Sequence, residues 1–206
     1  MKKCKFLVHL FFLDKSVITY SIPDLPNELN ISAGAIDPDN FTVACGTEFP
    51  SSLIFNFEDE LPTSAFFNYN SEVSTVKFFE GSVLCGTNGG TINIWDPNVN
   101  TISSRLTGHL TRGTSIQTER NQHNVIVSGA VDTNVKLWDV RQKSCINTFK
   151  GHTKDITCLD ISPDSKIVVS GSMDGTLKFW DSVYPKLVKS FKVSTTGYPT
   201  CIAFNP

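Results

Sequence analysis

Three Trp-Asp pairs recur along this chain at near-equal spacing, at 95–96, 138–139 and 180–181. The pairs are 43 and then 42 residues apart, and they hold all three tryptophans of the protein. A repeat of this length supplies one small antiparallel sheet, which cannot bury its own apolar faces alone. The spacing therefore predicts a row of similar β units that stack on one another rather than one continuous core.

The repeat extends beyond the dipeptide. A glycine stands nine residues before each tryptophan, at Gly86, Gly129 and Gly171. The same frame finds Gly46 nine residues before Phe55, where phenylalanine replaces tryptophan, and a further step of 44 residues reaches Phe11. Five positions thus share one register.

Gly-His pairs precede two of the repeats, at 108–109 and 151–152, again 43 residues apart. A period of about 40–45 residues that ends in Trp-Asp is typical of WD40 repeats, each of which forms roughly one four-stranded blade of a β-propeller. Helical periodicity is absent along the sequence, and short alternating runs separated by Gly, Asp, Asn and Pro favour strands. The expected fold is an all-β WD40 propeller.

Four whole repeats fit into a single domain over 1–206, at approximately 23–67, 68–107, 108–150 and 151–193. In the last of these the predicted strands are 156–162, 166–172, 176–181 and 186–192. Half a blade precedes the four repeats, and 200–206 are expected to form the first strand of an unfinished one. A closed propeller needs more blades, so the predicted propeller is incomplete, with partial strands at both ends.

Residues 1–16 allow two interpretations. A positive start and an eight-residue apolar run are typical of a secretory signal. His9 interrupts the run, Asp14 ends it, no small-residue cleavage motif follows, and the run lies in the repeat register, all of which favours a propeller strand. The run is too short for a transmembrane helix.

Two repeats carry residue types that resemble a hydrolase triad. A triad is one nucleophile at one site, whereas this set is duplicated at the repeat period, which favours a structural hydrogen-bond network from Asp to His to Ser to the indole N–H. We predict no catalytic residues, no enzyme activity and no cofactor. The predicted network comprises His109, Ser128, Asp132, Trp138, His152, Ser170, Asp174, Trp180 and Trp95.

Composition excludes several other classes. A net charge of −2 and a pI of about 6.1 indicate neither nucleic-acid nor membrane binding. The six cysteines lack CxxC spacing, so we expect buried free thiols, such as Cys45 and Cys85, rather than disulfides or a metal site. Phosphate-loop, HExxH and GxSxG motifs are absent from the sequence.

The third repeat carries a more specific signature. Residues 132–146, "DTNVKLWDVRQKSCI", resemble the "DTNxKxWDxRxKxC" stretch in the propeller of the katanin regulatory subunit, the non-catalytic partner of a microtubule-severing ATPase. The resemblance covers about 125 residues, 81–206, whereas 1–80 depart from it. It implies a protein-interaction platform that targets tubulin, with cytoplasmic localisation on microtubules, centrosomes or spindle poles. The C-terminal helical domain that binds the ATPase in that family is absent from this sequence.

Loops on one rim of such a propeller are the expected partner-binding surface. Arg112, Lys154 and Asp155 lie in these loops, and the two cations could meet the acidic surface of tubulin. Alternatively, they are only solvated loop charges. A generic WD40 scaffold, in ribosome assembly, ubiquitin ligation or ciliary transport, remains the other functional hypothesis, because fold does not fix function.

Overall fold

The structure of the protein is a computed structural model. It describes residues 8–11, 17–20, 31–37, 42–56, 62–67, 69–118, 124–193 and 196–205. Within these ranges every regular element is a β-strand, which confirms the all-β prediction. No helix in the described part of the chain is long and apolar enough to cross a membrane.

Sixteen of the described strands form four antiparallel sheets of four strands each, and within a sheet each strand pairs with the next along the chain. We number the sheets 1 to 4. Sheet 1 is β3 Ile31–Asp37, β4 Thr42–Thr47, β5 Ser51–Asn56 and β6 Pro62–Phe67. Sheet 2 is β7 Val73–Phe79, β8 Ser82–Thr87, β9 Ile92–Asp96 and β10 Thr101–Leu106. Sheet 3 is β11 Gly113–Thr118, β12 Val125–Ala130, β13 Val135–Asp139 and β14 Ser144–Phe149. Sheet 4 is β15 Ile156–Ile161, β16 Ile167–Ser172, β17 Thr176–Asp181 and β18 Lys186–Lys192.

The second strand of every sheet has the same burial pattern. In β4, β8, β12 and β16 one half-buried residue is followed by five buried ones. An ordinary half-buried strand would alternate, so this pattern shows that both faces of the sheet are covered near its centre. Consecutive sheets supply that cover, because the first strand of each sheet contacts the first strand of the next.

The repeated glycines explain how closely the sheets approach. A Cβ built on Gly46 would lie 2.5 Å from Val73 of the next sheet, and one on Gly129 would lie 2.5 Å from Ile156 of the next sheet. Neither gap holds a methyl group. Glycine at this position therefore lets the first strand of the following sheet pack directly against the second strand of its predecessor.

We call the close contact between neighbouring sheets at each glycine a seam. Hydroxyl groups connect the first strands of neighbouring sheets across these seams. Ser32 Oγ donates to the carbonyl of Val73, and Ser74 Oγ donates to the carbonyl of Gly113 at 2.6 Å. In each case the donor lies one residue after the start of its strand. The same position in sheet 4, Thr157, donates to the carbonyl of Pro199.

The C-terminal prediction was wrong in one respect. Residues 197–205 carry no strand, although 200–206 were expected to form one. They do lie beside β15, where Thr157 donates to Pro199 and the Phe204 N–H donates to Asp160 Oδ2 at 2.7 Å. A strand needs a ladder of backbone partners, and the contacts here come from side chains.

The N-terminal partial unit consists of β1 Val8–Phe11 and β2 Val17–Tyr20, which pair with each other as a two-stranded sheet. A strand thus lies where the alternative was a signal segment. The rest of residues 1–16, with Cys4 and Asp14, lies outside the described residues, as does His123. Each four-stranded sheet lies within one of the four repeat ranges expected from the sequence.

Candidate functional site

The duplicated polar residues come together in sheet 3. His109, in the loop before β11, has Nδ1 2.9 Å from Asp132 Oδ2 and Nε2 2.7 Å from Ser128 Oγ. Trp138 Nε1 donates to the same Ser128 Oγ at 2.7 Å. Asp132 lies in the turn between β12 and β13, so the contacts link the loop before β11 to the second and third strands of the sheet.

Sheet 4 repeats this arrangement with nearly identical distances. His152 Nδ1 lies 2.9 Å from Asp174 Oδ2, and His152 Nε2 lies 2.8 Å from Ser170 Oγ. Trp180 Nε1 donates to Ser170 Oγ at 2.8 Å. One donor pattern satisfies every distance in both sheets: the imidazole Nδ1–H donates to the carboxylate, and the serine O–H donates to Nε2.

Burial sets the protonation of this network. Desolvation lowers the pKa of His109 and of His152, and the neighbouring carboxylates offset only part of that effect. Burial alone would raise the pKa of Asp174, but hydrogen bonds from Thr176 and His152 hold it at about 2. Each pair is therefore a neutral imidazole beside an ionised carboxylate at neutral pH.

The geometry of Asp132, His109 and Ser128 is that of a catalytic triad, but the serine has no room to act. Ser128 is 1% exposed, and its oxygen already accepts from the Trp138 indole. A nucleophile must reach a substrate carbonyl. The trio instead satisfies two buried ring donors, which a low-dielectric interior makes costly to leave unpaired.

The prediction that Trp95 belongs to the same network was wrong. Trp95 Nε1 donates to Asn100 Oδ1 at 3.1 Å, in the turn after β9. The position of Ser128 is taken by Cys85 in this sheet, and Gly89 stands where the aspartate would be. Thiols are weak acceptors, so the indole bonds to a nearby amide instead.

A different buried cluster replaces the network between sheets 1 and 2. Tyr69 Oη donates to Cys85 Sγ at 3.2 Å, and Ser52 Oγ lies 3.3 Å from the same sulfur. Burial raises the pKa of Tyr69 and raises that of Cys85 to about 11. The described cysteines, Cys45 and Cys85 among them, are all free thiols.

The two aspartates also anchor the loops of one rim. Asp132 Oδ2 accepts the N–H of Leu110, and Asp174 Oδ2 accepts that of Thr153. A backbone hydrogen bond makes the same connection in each sheet. In sheet 3 the Val131 N–H donates to the Arg112 carbonyl at 3.0 Å, and in sheet 4 the Met173 N–H donates to the Asp155 carbonyl at 2.9 Å. The loop before each first strand is thus fixed to the turn between the second and third strands.

These fixed loops present the predicted partner-binding residues. Arg112 and Lys154 are exposed, and Asp155 is half-buried. The most exposed apolar group in these loops is Leu110, which is 83% exposed near Arg112, and Met173 is also exposed. The sequence places both residues in the rim loops, but only the charged residues were predicted as contacts, although a leucine directly after Gly-His in a solvent-facing loop is a usable signal.

Sequence comparison identifies the repeated unit. The family model described as "WD domain, G-beta repeat" matches residues 100–139 and 143–181, the region of sheets 3 and 4. These are WD40 repeats. By this match the chain contains WD40 repeats in the region of sheets 3 and 4, and its four sheets form an incomplete WD40 propeller, as the sequence predicted.

Known relatives match only parts of the chain. The WD repeat-containing protein pop2 of Schizosaccharomyces pombe is 28% identical over 41% of this chain and 12% of its own length. The nuclear distribution protein PAC1 of Candida tropicalis is 34% identical over 34% of this chain and 14% of its own length. The chain thus spans about an eighth of these relatives. A chain from the crystal structure of a mitotic checkpoint complex superposes with a TM-score of 0.83, at 18% identity, over 92% of this chain and 59% of its own.

Propellers of this kind are typically non-catalytic scaffolds for protein interactions. Within the described residues, no group of three or more His, Cys, Asp or Glu side chains could hold a metal ion.

Proposed function

We propose that this protein is a non-catalytic interaction platform whose rim of loops around Arg112, Lys154 and Asp155 binds a partner protein. The observation that carries this proposal is the double anchoring of the rim loops, through Asp132 and Asp174 and through the backbone. Loops that are already ordered lose little conformational entropy on binding. The exposed Leu110 and Met173 supply apolar anchors between the charges.

The partner that we propose is the microtubule, in a complex of the katanin type, which would place the protein in the cytoplasm on microtubules, centrosomes or spindle poles. Residues 132–146 support this proposal through their resemblance to the katanin regulatory subunit. Arg112 and Lys154 are exposed cations, and a partner with an acidic surface would be drawn to them. The severing ATPase would belong to the same complex.

Microtubule co-sedimentation across a salt series tests this proposal. Charge reversal in Arg112→Glu with Lys154→Glu should weaken binding at least ten-fold and flatten its salt dependence. The matched control is Arg141→Glu with Lys166→Glu, which changes the net charge equally at exposed positions at the opposite end of the strands. Equal binding by both double variants would refute the rim assignment.

A generic scaffold is the second proposal, and it is favoured by the diversity of the relatives, which carry several different names. Affinity purification with the intact chain distinguishes the two. Recovery of tubulin or a severing ATPase supports the microtubule proposal, whereas recovery of ubiquitin-ligase, ribosome-assembly or ciliary components supports the alternative.

A further inference from the structure

One turn on the rim has an unusual backbone conformation. In sheets 2, 3 and 4 the turn between the second and third strands closes with a hydrogen bond to the carbonyl three residues earlier, and the donors are Gly90, Thr133 and Gly175. The donor has a positive φ in every case, 77° at Gly90, 67° at Thr133 and 80° at Gly175. Sheets 2 and 4 therefore have glycine at this place, whereas sheet 3 has threonine.

Threonine is poorly suited to this conformation. A left-handed φ brings Cβ close to a backbone carbonyl oxygen, and a branched Cβ makes the clash worse, so glycine is the residue that adopts this conformation readily. Thr133 is the only β-branched residue with a positive φ in the part of the chain that the structure describes. Its hydroxyl does not offset the strain, since it has no hydrogen-bond partner among the described residues.

The strained residue lies in the turn that holds the rim loop of sheet 3. Asp132 Oδ2 accepts the Leu110 N–H at 3.0 Å, and the Val131 N–H donates to the Arg112 carbonyl at 3.0 Å. Both residues of the loop have exposed side chains. Thr133 is therefore fixed close to an exposed apolar group and an exposed cation.

The next sheet also approaches this turn. In sheet 2 a Cβ added to Gly90 would lie 2.6 Å from the carbonyl oxygen of His109 and 2.9 Å from that of Thr111, in the rim loop of sheet 3. By the same repeat, Thr133 is expected beside the rim loop of sheet 4, which carries Lys154. Thr133 is thus expected between the loops of the two cations of the rim.

Sheet 4 has different residues at the same places. At the repeat spacing, the counterparts of Leu110, Arg112 and Thr133 are Thr153, Asp155 and Gly175. The corner of the rim in sheet 4 therefore has a polar residue for the leucine, an acidic residue for the cation and an unstrained glycine for the threonine. The corner in sheet 3 combines an apolar group, a positive charge and a hydroxyl.

We propose that Thr133 contacts the partner protein and, with Leu110 and Arg112, selects an acidic segment that carries an apolar side chain, an inference that rests on the proposed interaction function. The Arg112 guanidinium and the Thr133 hydroxyl donate to a carboxylate of the segment, and Leu110 packs on the apolar side chain. Threonine at this place lowers the stability of the fold and strengthens binding, as strained residues at binding sites do.

Two substitutions separate the hydroxyl from the strain. Thr133→Val keeps the branched shape and the strain but removes the hydroxyl, whereas Thr133→Gly removes both. In microtubule co-sedimentation both variants should bind about ten-fold more weakly than the wild type, because each loses one hydrogen bond to a charged group. In urea denaturation Thr133→Gly should unfold at a higher urea concentration than the wild type, so unfolding cannot explain its weaker binding.

Gly175→Thr is the matched control, because it introduces the strained residue into the same turn of sheet 4. This variant should unfold at a lower urea concentration than the wild type and bind microtubules equally well. A loss of binding as large as that of Thr133→Val would overturn the proposal, because the effect would not be specific to sheet 3.

Two other results would overturn the assignment of Thr133 and leave the interaction function standing. One is binding of Thr133→Val with the affinity of the wild type, and the other is a urea midpoint of Thr133→Gly at or below that of the wild type. Absence of microtubule binding by the wild type would overturn both the microtubule proposal and the role of Thr133.

Discussion

Sheets 3 and 4 differ from sheets 1 and 2 in chemistry while sharing one architecture. In the later pair a serine, held by a histidine and an aspartate, accepts from the buried tryptophan, whereas in the earlier pair Phe55 has no ring N–H and Trp95 bonds to Asn100. Both pairs keep the glycine and the close first strand. The close glycine contact is therefore the feature common to all the sheets, whereas the polar network stabilises only sheets 3 and 4.

The largest expected effect comes from removing the hub of that network. Ser170→Ala leaves Trp180 Nε1 and His152 Nε2 without their partner. Two buried groups at roughly 1–3 kcal/mol each predict a loss of at least about 2 kcal/mol in the free energy of unfolding. Urea denaturation measures it. Cys85→Ser at the same position of sheet 2 should change stability by less than about 1 kcal/mol, because Tyr69 and Ser52 can bond to the new hydroxyl. Equal losses of stability in the two variants would show that the polar network does not distinguish sheets 3 and 4 from sheets 1 and 2.

Replacement of the seam glycine by a larger residue should destabilise both pairs of sheets equally. Gly46→Ala and Gly129→Ala each place a methyl group 2.5 Å from a side chain of the next sheet, which predicts overpacking of about 1–3 kcal/mol. Gly113→Ala is the control, since no atom lies within 4 Å of its added Cβ. Thermal and urea unfolding of the three variants compare them. A cost confined to Gly129→Ala would show that the seam matters in only one pair.

Acid should weaken the later pair selectively. The folded pKa of His109 and His152 lies below the unfolded value of 6.5, so the unfolded chain binds more protons and stability falls as the pH drops below about 6.5. For each histidine the free energy of unfolding should fall by at most about 1.4 kcal/mol per pH unit, and by less where solvent screens the ring. Urea midpoints from pH 7 to 5 should fall more steeply for the wild type than for His109→Gln with His152→Gln.

Other groups titrate outside that window. Asp174, with its pKa at about 2, contributes stability that is lost only below its ordinary value of 3.8. Cys85, with its pKa raised from 9.0 to about 11, weakens the fold only as the pH rises above 9. Parallel pH profiles for the wild type and the double histidine variant would therefore contradict the protonation assigned to the network.

The smallest effect should follow Asn100→Ala in sheet 2. The variant removes the acceptor of Trp95 Nε1, but Asn100 is exposed and water can replace it, so the expected loss is about 0.5–1.5 kcal/mol. Asn100 also has a φ of 53°, which asparagine tolerates better than alanine. Asn100→Gly separates the two contributions. A loss as large as that of Ser170→Ala would show that the tryptophans of both pairs depend equally on their partners.

The repeat frame was sufficient to predict most of the fold. The strands expected at 156–162, 166–172, 176–181 and 186–192 differ from β15 to β18 by at most one residue at any end. Alternation and turn residues are local signals, and each sheet is built from consecutive strands, so local patterns suffice.

Two features were not predictable from local patterns. The partner of Trp95 depends on whether an acceptor lies within reach of the ring, and the frame alone assigned it to a network whose serine is Cys85 in this sheet. The conformation of 197–205 depends on a backbone partner rather than on the residues themselves, which alternate as a strand does.

The glycine seam also bears on how such a gene can change. Because each unit offers a gap behind its second strand and fills the gap of its predecessor, a segment of about 43 residues can be duplicated or deleted while every remaining junction keeps the same fit. Drift is then free to act on positions away from the junction. Phe55 stands at the tryptophan position of sheet 1 and Cys85 at the serine position of sheet 2, whereas glycine stands at the junction of all four units.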